Sequence, residues 1–171
     1  INYSWLDKKL TEFLIESEKG VVERVIDGDT IEVNGTSVRL LGINTPEKGQ
    51  LYYDEAKQFL ENLTLNKLVV MEKGKEDRDK YNRALRYIIA DDKNVNLEIV
   101  KNGYANFYFP EGRDIYYNEF KEAWNSCLEK NINLCEKSDD FCARCIELDK
   151  INVKEQKVAL FNKCTFSFNL E

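Results

Sequence analysis

The chain has 171 residues, 43% hydrophobic and 33% charged, a balance that fits one globular domain with room for a short appendage. Its net charge is −6 at pH 7, which counts against a broad basic footprint for nucleic acid but not against a local positive site. It contains no histidine, which excludes Ser-His-Asp and Cys-His catalysis and histidine-held zinc, and leaves carboxylate, Lys, Tyr or Cys for proton transfer and oxygen-ligated calcium or magnesium as the fitting metals.

In chain order, Ser4-Trp5-Leu6-Asp7 reads as a capping box, and Leu6, Leu10, Phe13 and Leu14 share one helical face. Residues 1–19 are therefore expected to form a packing helix that Gly20 ends. From there the period changes. Val21, Val22, Val25 and Ile26 suit a strand, Asp27-Gly28-Asp29 a turn, and residues 30–33 a second strand. Asn34-Gly35 is a two-residue hairpin signal, and residues 37–43 complete a meander. Ala56, Phe59, Leu60 and Leu63 mark an amphipathic helix. Residues 67–72 and 84–90 read as strands flanking a polar surface loop over 73–83. Leu97, Val100 and Gly103 describe a short helix with a glycine stop. Tyr116, Phe120, Ala123, Trp124, Cys127 and Leu128 form an apolar helical stripe. Five strands interrupted by one helix predict an α+β fold, a small OB-type β-barrel with three packing helices over residues 20–129.

Beyond that the character shifts to a cysteine-containing appendage over residues 130–171, in which Ile146, Leu148, Ile151, Val153, Val158 and Leu160 suggest one or two strands. Cys127 reads as a buried core thiol. The other four cysteines, Cys135, Cys142, Cys145 and Cys164, allow two disulfides in three pairings, while Cys142-Ala143-Arg144-Cys145 also has the spacing of half a zinc site. Apolar runs such as residues 87–90 are far too short to cross a bilayer, and a monomer without a membrane segment is expected. The chain begins Ile-Asn-Tyr without Met, as a processed or trimmed chain would.

Three clusters combine carboxylates and arginines near strand ends: residues 25–30, 39–47 and 79–83. Singly, each has a plain explanation as a turn, a helix start, a solvated loop or a buried ion pair. Jointly they hold what phosphodiester hydrolysis needs: a hard oxygen ligand at Asp29, two phosphate-gripping forks at Arg39 and Arg83, and a carboxylate at Glu47 to orient or deprotonate water.

The segment from Gly20 to Trp124 resembles the staphylococcal nuclease (thermonuclease) family. The resemblance runs through Arg24-Val25-Ile26-Asp27-Gly28-Asp29-Thr30, Arg39-Leu40-Leu41, Thr45-Pro46-Glu47, Glu55-Ala56, Asp79-Lys80-Tyr81, Arg83 and Val95-Asn96. It implies an OB-fold barrel and a calcium-dependent nuclease acting on DNA and RNA. It also implies that Arg39, Glu47 and Arg83 are catalytic and that Asp29 and the Thr45 carbonyl face calcium. Lys80 and Tyr81 are then expected on substrate phosphate, and Tyr108 near the base-stacking tyrosine. Asn44 stands where the family has a second calcium-binding aspartate, which predicts weaker calcium binding. The loop at residues 48–53 is shorter than is common in the family. The resemblance and the cysteine content favour a secreted or cell-surface protein. Residues 146–170 resemble the opening strands of lamin-tail-like β domains, implying that the native protein is longer. The alternative function is a weak or silent module of the same fold that binds nucleic acid or protein.

Overall fold

The computed structural model describes residues 18–110, 112–137, 146–152 and 157–162. The chain divides into two compact units, one reaching to Cys135 and the other from Glu136 onward.

In the first unit, β1 (Glu18–Asp27), β2 (Thr30–Val33) and β3 (Thr36–Leu40) form the expected meander. Asn34 (φ 49°) and Gly35 (φ 71°) supply the left-handed pair that a tight hairpin requires. Next come β4 (Ile43–Asn44), helix α1 (Tyr53–Thr64), β5 (Leu68–Arg78), β6 (Ala84–Ala90), β7 (Lys93–Asn94), helix α2 (Val95–Lys101), β8 (Asn106–Phe107), helix α3 (Tyr117–Lys130) and a 3-10 turn (Asn133–Cys135). The strand order is β3-β2-β1-β5-β6-β7, and a parallel pairing of β3 with β6 closes the first five strands into a barrel. This is the five-stranded α+β barrel with three helices expected from the sequence.

The barrel interior holds Val22, Val25, Ile31, Val38, Leu40, Val69, Tyr87 and Ile88. Leu60 of α1, Ile99 and Val100 of α2 and Phe120 of α3 cover it, each buried completely. Each such side chain contributes roughly 2 kcal/mol, taken against an extended chain. Asn94 caps α2 by accepting from the Leu97 amide at 3.2 Å.

Four expectations are corrected. Glu18, Lys19 and Gly20 belong to β1, paired with Met71, Val70 and Val69, so Gly20 does not stop a helix; the rest of the predicted helix lies outside the described residues. The third predicted strand breaks into β3 and β4, with Gly42 at φ 74° between them, and β4 pairs instead with β8. The predicted loop over 73–83 is half strand. β5 runs on to Arg78, and its polar residues there are exposed rather than irregular. Finally, Cys127 is not a free thiol: it forms a disulfide with Cys135, their Cα atoms 5.8 Å apart. Asn131, left-handed at φ 54°, ends α3 and turns the chain back so that Cys135 returns to the helix. Leu134 N–H donates to Gly103 C=O at 3.0 Å and seats that return. Cys135 therefore has its partner within the barrel unit, and not among Cys142, Cys145 and Cys164, which lie outside the described residues.

In the second unit, β9 (Ile146–Asn152) and β10 (Lys157–Asn162) pair as an antiparallel hairpin, within the segment expected to hold one or two strands. Among the described residues no helix is long and apolar enough to cross a membrane.

Candidate active site

The β1–β2 turn carries Asp29. Gly28 is required there, because a Cβ would meet Ala56 Cβ and Thr45 Cβ at 2.9 Å each. The turn is thus pressed between α1 and Thr45, just after β4, and Asp29 is 7% exposed. Its Oδ2 accepts from the Thr45 amide at 3.2 Å and the Thr45 hydroxyl at 3.0 Å, and pairs with Arg39 Nη2 at 2.9 Å. Its Oδ1 accepts from the Thr30 hydroxyl at 3.0 Å. Burial pushes the Asp29 carboxyl above its ordinary range. The Arg39 charge opposes this, and the neighbouring Asp27 reinforces it.

Arg39 leaves β3 with a side chain only 14% exposed. Its Nη1 donates to Leu40 C=O at 2.7 Å, and its Nη2 donates to Ile43 C=O at 2.9 Å and, at 3.5 Å, to Asn44 Oδ1. These bonds fix the plane of the guanidinium. Nε–H and the second Nη1–H meet no acceptor among the described residues. Burial lowers the Arg39 pKa, Asp29 raises it, and the positive charge of Arg83 lowers it again, so the two guanidiniums lie within each other's field.

Arg83 stands immediately before β6, at the end of the turn from Asp79. Asp79 Oδ1 accepts from the Tyr81 and Arg83 amides at 2.9 Å each, and its Oδ2 from Arg83 Nε at 2.7 Å. Burial would raise the Asp79 carboxyl, but these hydrogen bonds outweigh it and hold the carboxyl below its usual range. Arg83 Nη1 donates to Thr30 Oγ1 at 3.3 Å. The result is a continuous relay: Arg83 to Thr30, Thr30 to Asp29, Asp29 to Arg39. It joins the three sequence clusters at one end of the barrel.

Arg39, Arg83, Lys80, Tyr81 and Tyr108 share the wall of one cleft of about 590 Å³. Tyr81 is 69% exposed, with Lys80 Nζ 5.0 Å and the Arg83 guanidinium 5.5 Å from its ring centre. Tyr108, also exposed, is anchored through its amide to Gly42 C=O at 2.8 Å. Across the cleft, Tyr87 donates to Asp114 Oδ2 at 3.1 Å; burial and then the Asp114 charge push the Tyr87 phenol well above its usual range. Thr45 is buried against Asp29, whereas Asn44 and Glu47 are exposed. The Glu47 carboxylate makes no hydrogen bond or ion pair among the described residues.

Two residues of this arrangement lie within the sequence clusters, but their roles are visible only in the structure. Thr30 bridges the clusters but reads there as an ordinary strand residue. Asp79 orders the turn that aims Arg83, and its signal is an aspartate three residues before an asparagine between two strands, the pattern of a side-chain-closed turn.

The donor set of Asp29, Asn44 and the Thr45 carbonyl consists of oxygens only. No group of three or more acidic, Cys or His side chains suited to a metal occurs among the described residues. Oxygen donors of this kind fit a hard divalent cation, with much of its coordination left to water.

A closed five-stranded barrel whose rim carries two guanidiniums tied to one buried carboxylate belongs to the OB-type barrels, here with its polar machinery at one strand end. The family model described as Staphylococcal nuclease homologue matches residues 37–137, more than half the chain, and the chain belongs to that family. It is 32% identical over 133 residues to a thermonuclease of Staphylococcus intermedius, covering 72% of this chain and 79% of that protein. It is 32% identical over 123 residues to the thermonuclease of Staphylococcus hyicus, covering 65% and 73%. Endonuclease YhcR of Bacillus subtilis (strain 168) is 34% identical over 125 residues, 61% of this chain but only 10% of that longer protein.

Proposed function

We propose that the chain is a calcium-dependent nuclease that hydrolyses the phosphodiester bonds of DNA, RNA or both by in-line attack of water at phosphorus. The nuclease relatives support the hydrolase reading. The observation that carries the mechanism is the relay Arg83–Thr30–Asp29–Arg39, which holds two forked cations at the edge of one cleft.

The free Nε–H and Nη1–H of Arg39, with Nη2 of Arg83, donate to the non-bridging oxygens of the scissile phosphate. Negative charge grows there as water adds, so these bonds strengthen in the transition state. Asp29 and Asp79 fix the two guanidiniums beforehand, so little reorganisation is needed at the moment of reaction. Glu47, exposed and without a fixed partner, accepts the proton of the attacking water. Held by the oxygens of Asp29, Asn44 and Thr45, calcium would supply further positive charge against a phosphate oxygen. Lys80 and Tyr81 meet a neighbouring phosphate, and Tyr108 offers a ring face to an unpaired base. The Cys127–Cys135 disulfide supports action in an oxidising, extracytoplasmic setting.

Asn44 favours the second reading, a weak or silent nucleic-acid-binding module, because it leaves the metal set one negative charge short. The discriminating experiment is a calcium titration of cleavage on the wild type and on Asn44→Asp. The nuclease reading expects activity that chelator abolishes and that half-saturates at about tenfold lower calcium in Asn44→Asp. Wild-type protein that stays folded and cuts nothing at any calcium concentration, while Asn44→Asp cuts, would establish the silent module.

A further inference from the structure

The short loop after Glu47 carries a device that the roles proposed for Asp29, Arg39, Arg83 and Glu47 do not use. Glu47-Lys48-Gly49-Gln50 is a closed turn: Gln50 N–H donates to Glu47 C=O at 2.9 Å, and Gly49 at the third position has φ 89°. That is the type II pattern, which requires a left-handed third residue. The side chain of Gln50 then folds back, and its Oε1 accepts from the Glu47 amide at 2.7 Å. Both backbone polar groups of Glu47 are thus held by one residue. Gln50 C=O in turn accepts from Tyr53 N–H at 3.3 Å, which ties the turn to the start of α1.

All four residues of this turn are exposed. A solvent-facing loop with no buried side chain is ordinarily mobile, and a base carried on it would lose time and orientation to that motion. The reciprocal pair of bonds holds the Glu47 backbone on both sides of its Cα, beside the carboxylate.

We propose that Gln50 is a positioning residue for Glu47: its amide oxygen locks the Glu47 backbone so that the carboxylate is presented to the attacking water from an otherwise exposed loop. This rests on the reading of Glu47 as the proton acceptor. Gln50 touches neither substrate nor reacting atoms and acts through Glu47 alone. Other side chains are spared in the obvious variant, because Gln50 is exposed and buries no contact in the core.

The test is a double-mutant cycle of Gln50→Leu and Glu47→Ala, read as kcat and KM on a single-stranded oligonucleotide with saturating calcium. Hydrogen exchange of the Glu47 amide and thermal melting accompany it. Leucine keeps bulk and removes the acceptor. The expected result is a loss of about tenfold or more in kcat with KM within about twofold. Exchange at the Glu47 amide speeds up, the melting temperature is unchanged, and Gln50→Leu adds no loss in the Glu47→Ala background. Gly49→Ala, which keeps Gln50 but strains the turn at its positive φ, should reproduce the kcat loss. The proposal is overturned if Gln50→Leu leaves kcat unchanged, or if it costs the same factor with and without Glu47. A Glu47→Ala enzyme of near-normal turnover overturns the general-base reading itself, and is told apart because it appears in the single mutant.

Discussion

Arg39→Lys and Arg83→Lys should each lower kcat by about a thousandfold while separating cleanly in stability. The common loss follows from geometry. Lysine keeps the charge but presents a point rather than a planar fork, so it cannot bridge two phosphate oxygens while staying bonded to its carboxylate. The difference follows from burial. Arg39 is 14% exposed and satisfies Leu40 C=O, Ile43 C=O and Asp29 at once. Lysine in its place leaves at least one of these carbonyls unpaired, at a cost of about 2 kcal/mol. Arg83 is twice as exposed, and its partner Asp79 keeps its backbone donors, so the Arg83 variant should melt within about 1 kcal/mol of wild type. Steady-state kinetics beside urea unfolding measure both. Equal loss of stability in the two variants, or kcat retained in either, would contradict these roles.

Asn96→Ala is expected to cost about 3 kcal/mol of stability, although Asn96 does not itself line the cleft. Asn96 is completely buried at the start of α2. Its Oδ1 accepts from the Ile88 amide at 2.9 Å, and its Nδ2 donates to Leu41 C=O at 2.8 Å and Arg86 C=O at 3.2 Å. One side chain thus clips the helix to β6 and to the turn after β3, just where the parallel β3–β6 pairing closes the barrel. Alanine strands the Ile88 donor and the Leu41 acceptor. Arg86 C=O keeps the Leu41 amide at 2.9 Å and suffers less. A urea midpoint that falls in proportion, with unchanged slope, is the expected observation. A midpoint within about 0.5 kcal/mol of wild type would mean that the clip is dispensable.

The sequence carried the barrel and the three polar clusters because both rest on local chemistry. β-Branched runs, Asn34-Gly35 and the Gly103 stop after α2 are short-range signals, and Arg39 in an apolar strand is conspicuous wherever it occurs. What was illegible depends on contacts between distant segments. Thr30 becomes important only because Arg83 arrives 53 positions later to share its hydroxyl. β4 and β8 are two residues each and have no periodicity to read. Residues 73–78 look like loop because all of that part of β5 except Gly74 is exposed and none of it is apolar, so hydrophobic alternation disappears while the strand continues. Cys127 sits on the apolar face of α3, where a core thiol and a disulfide partner are indistinguishable until the chain is seen to turn back at Asn131. Arg86 left no signal either. It is 2% exposed, yet Glu18 at 2.9 Å and Asp77 at 2.8 Å make it a buried cation with two carboxylates.

Cleavage of single-stranded DNA by wild type and Glu47→Ala, each with calcium and with chelator, tests the nuclease mechanism most directly. Wild type should cut with calcium and stop with chelator, and Glu47→Ala should fold normally yet lose about a thousandfold in turnover. Near-normal turnover by Glu47→Ala, or no cleavage by folded wild type with calcium, manganese or magnesium, would contradict the proposed nuclease mechanism.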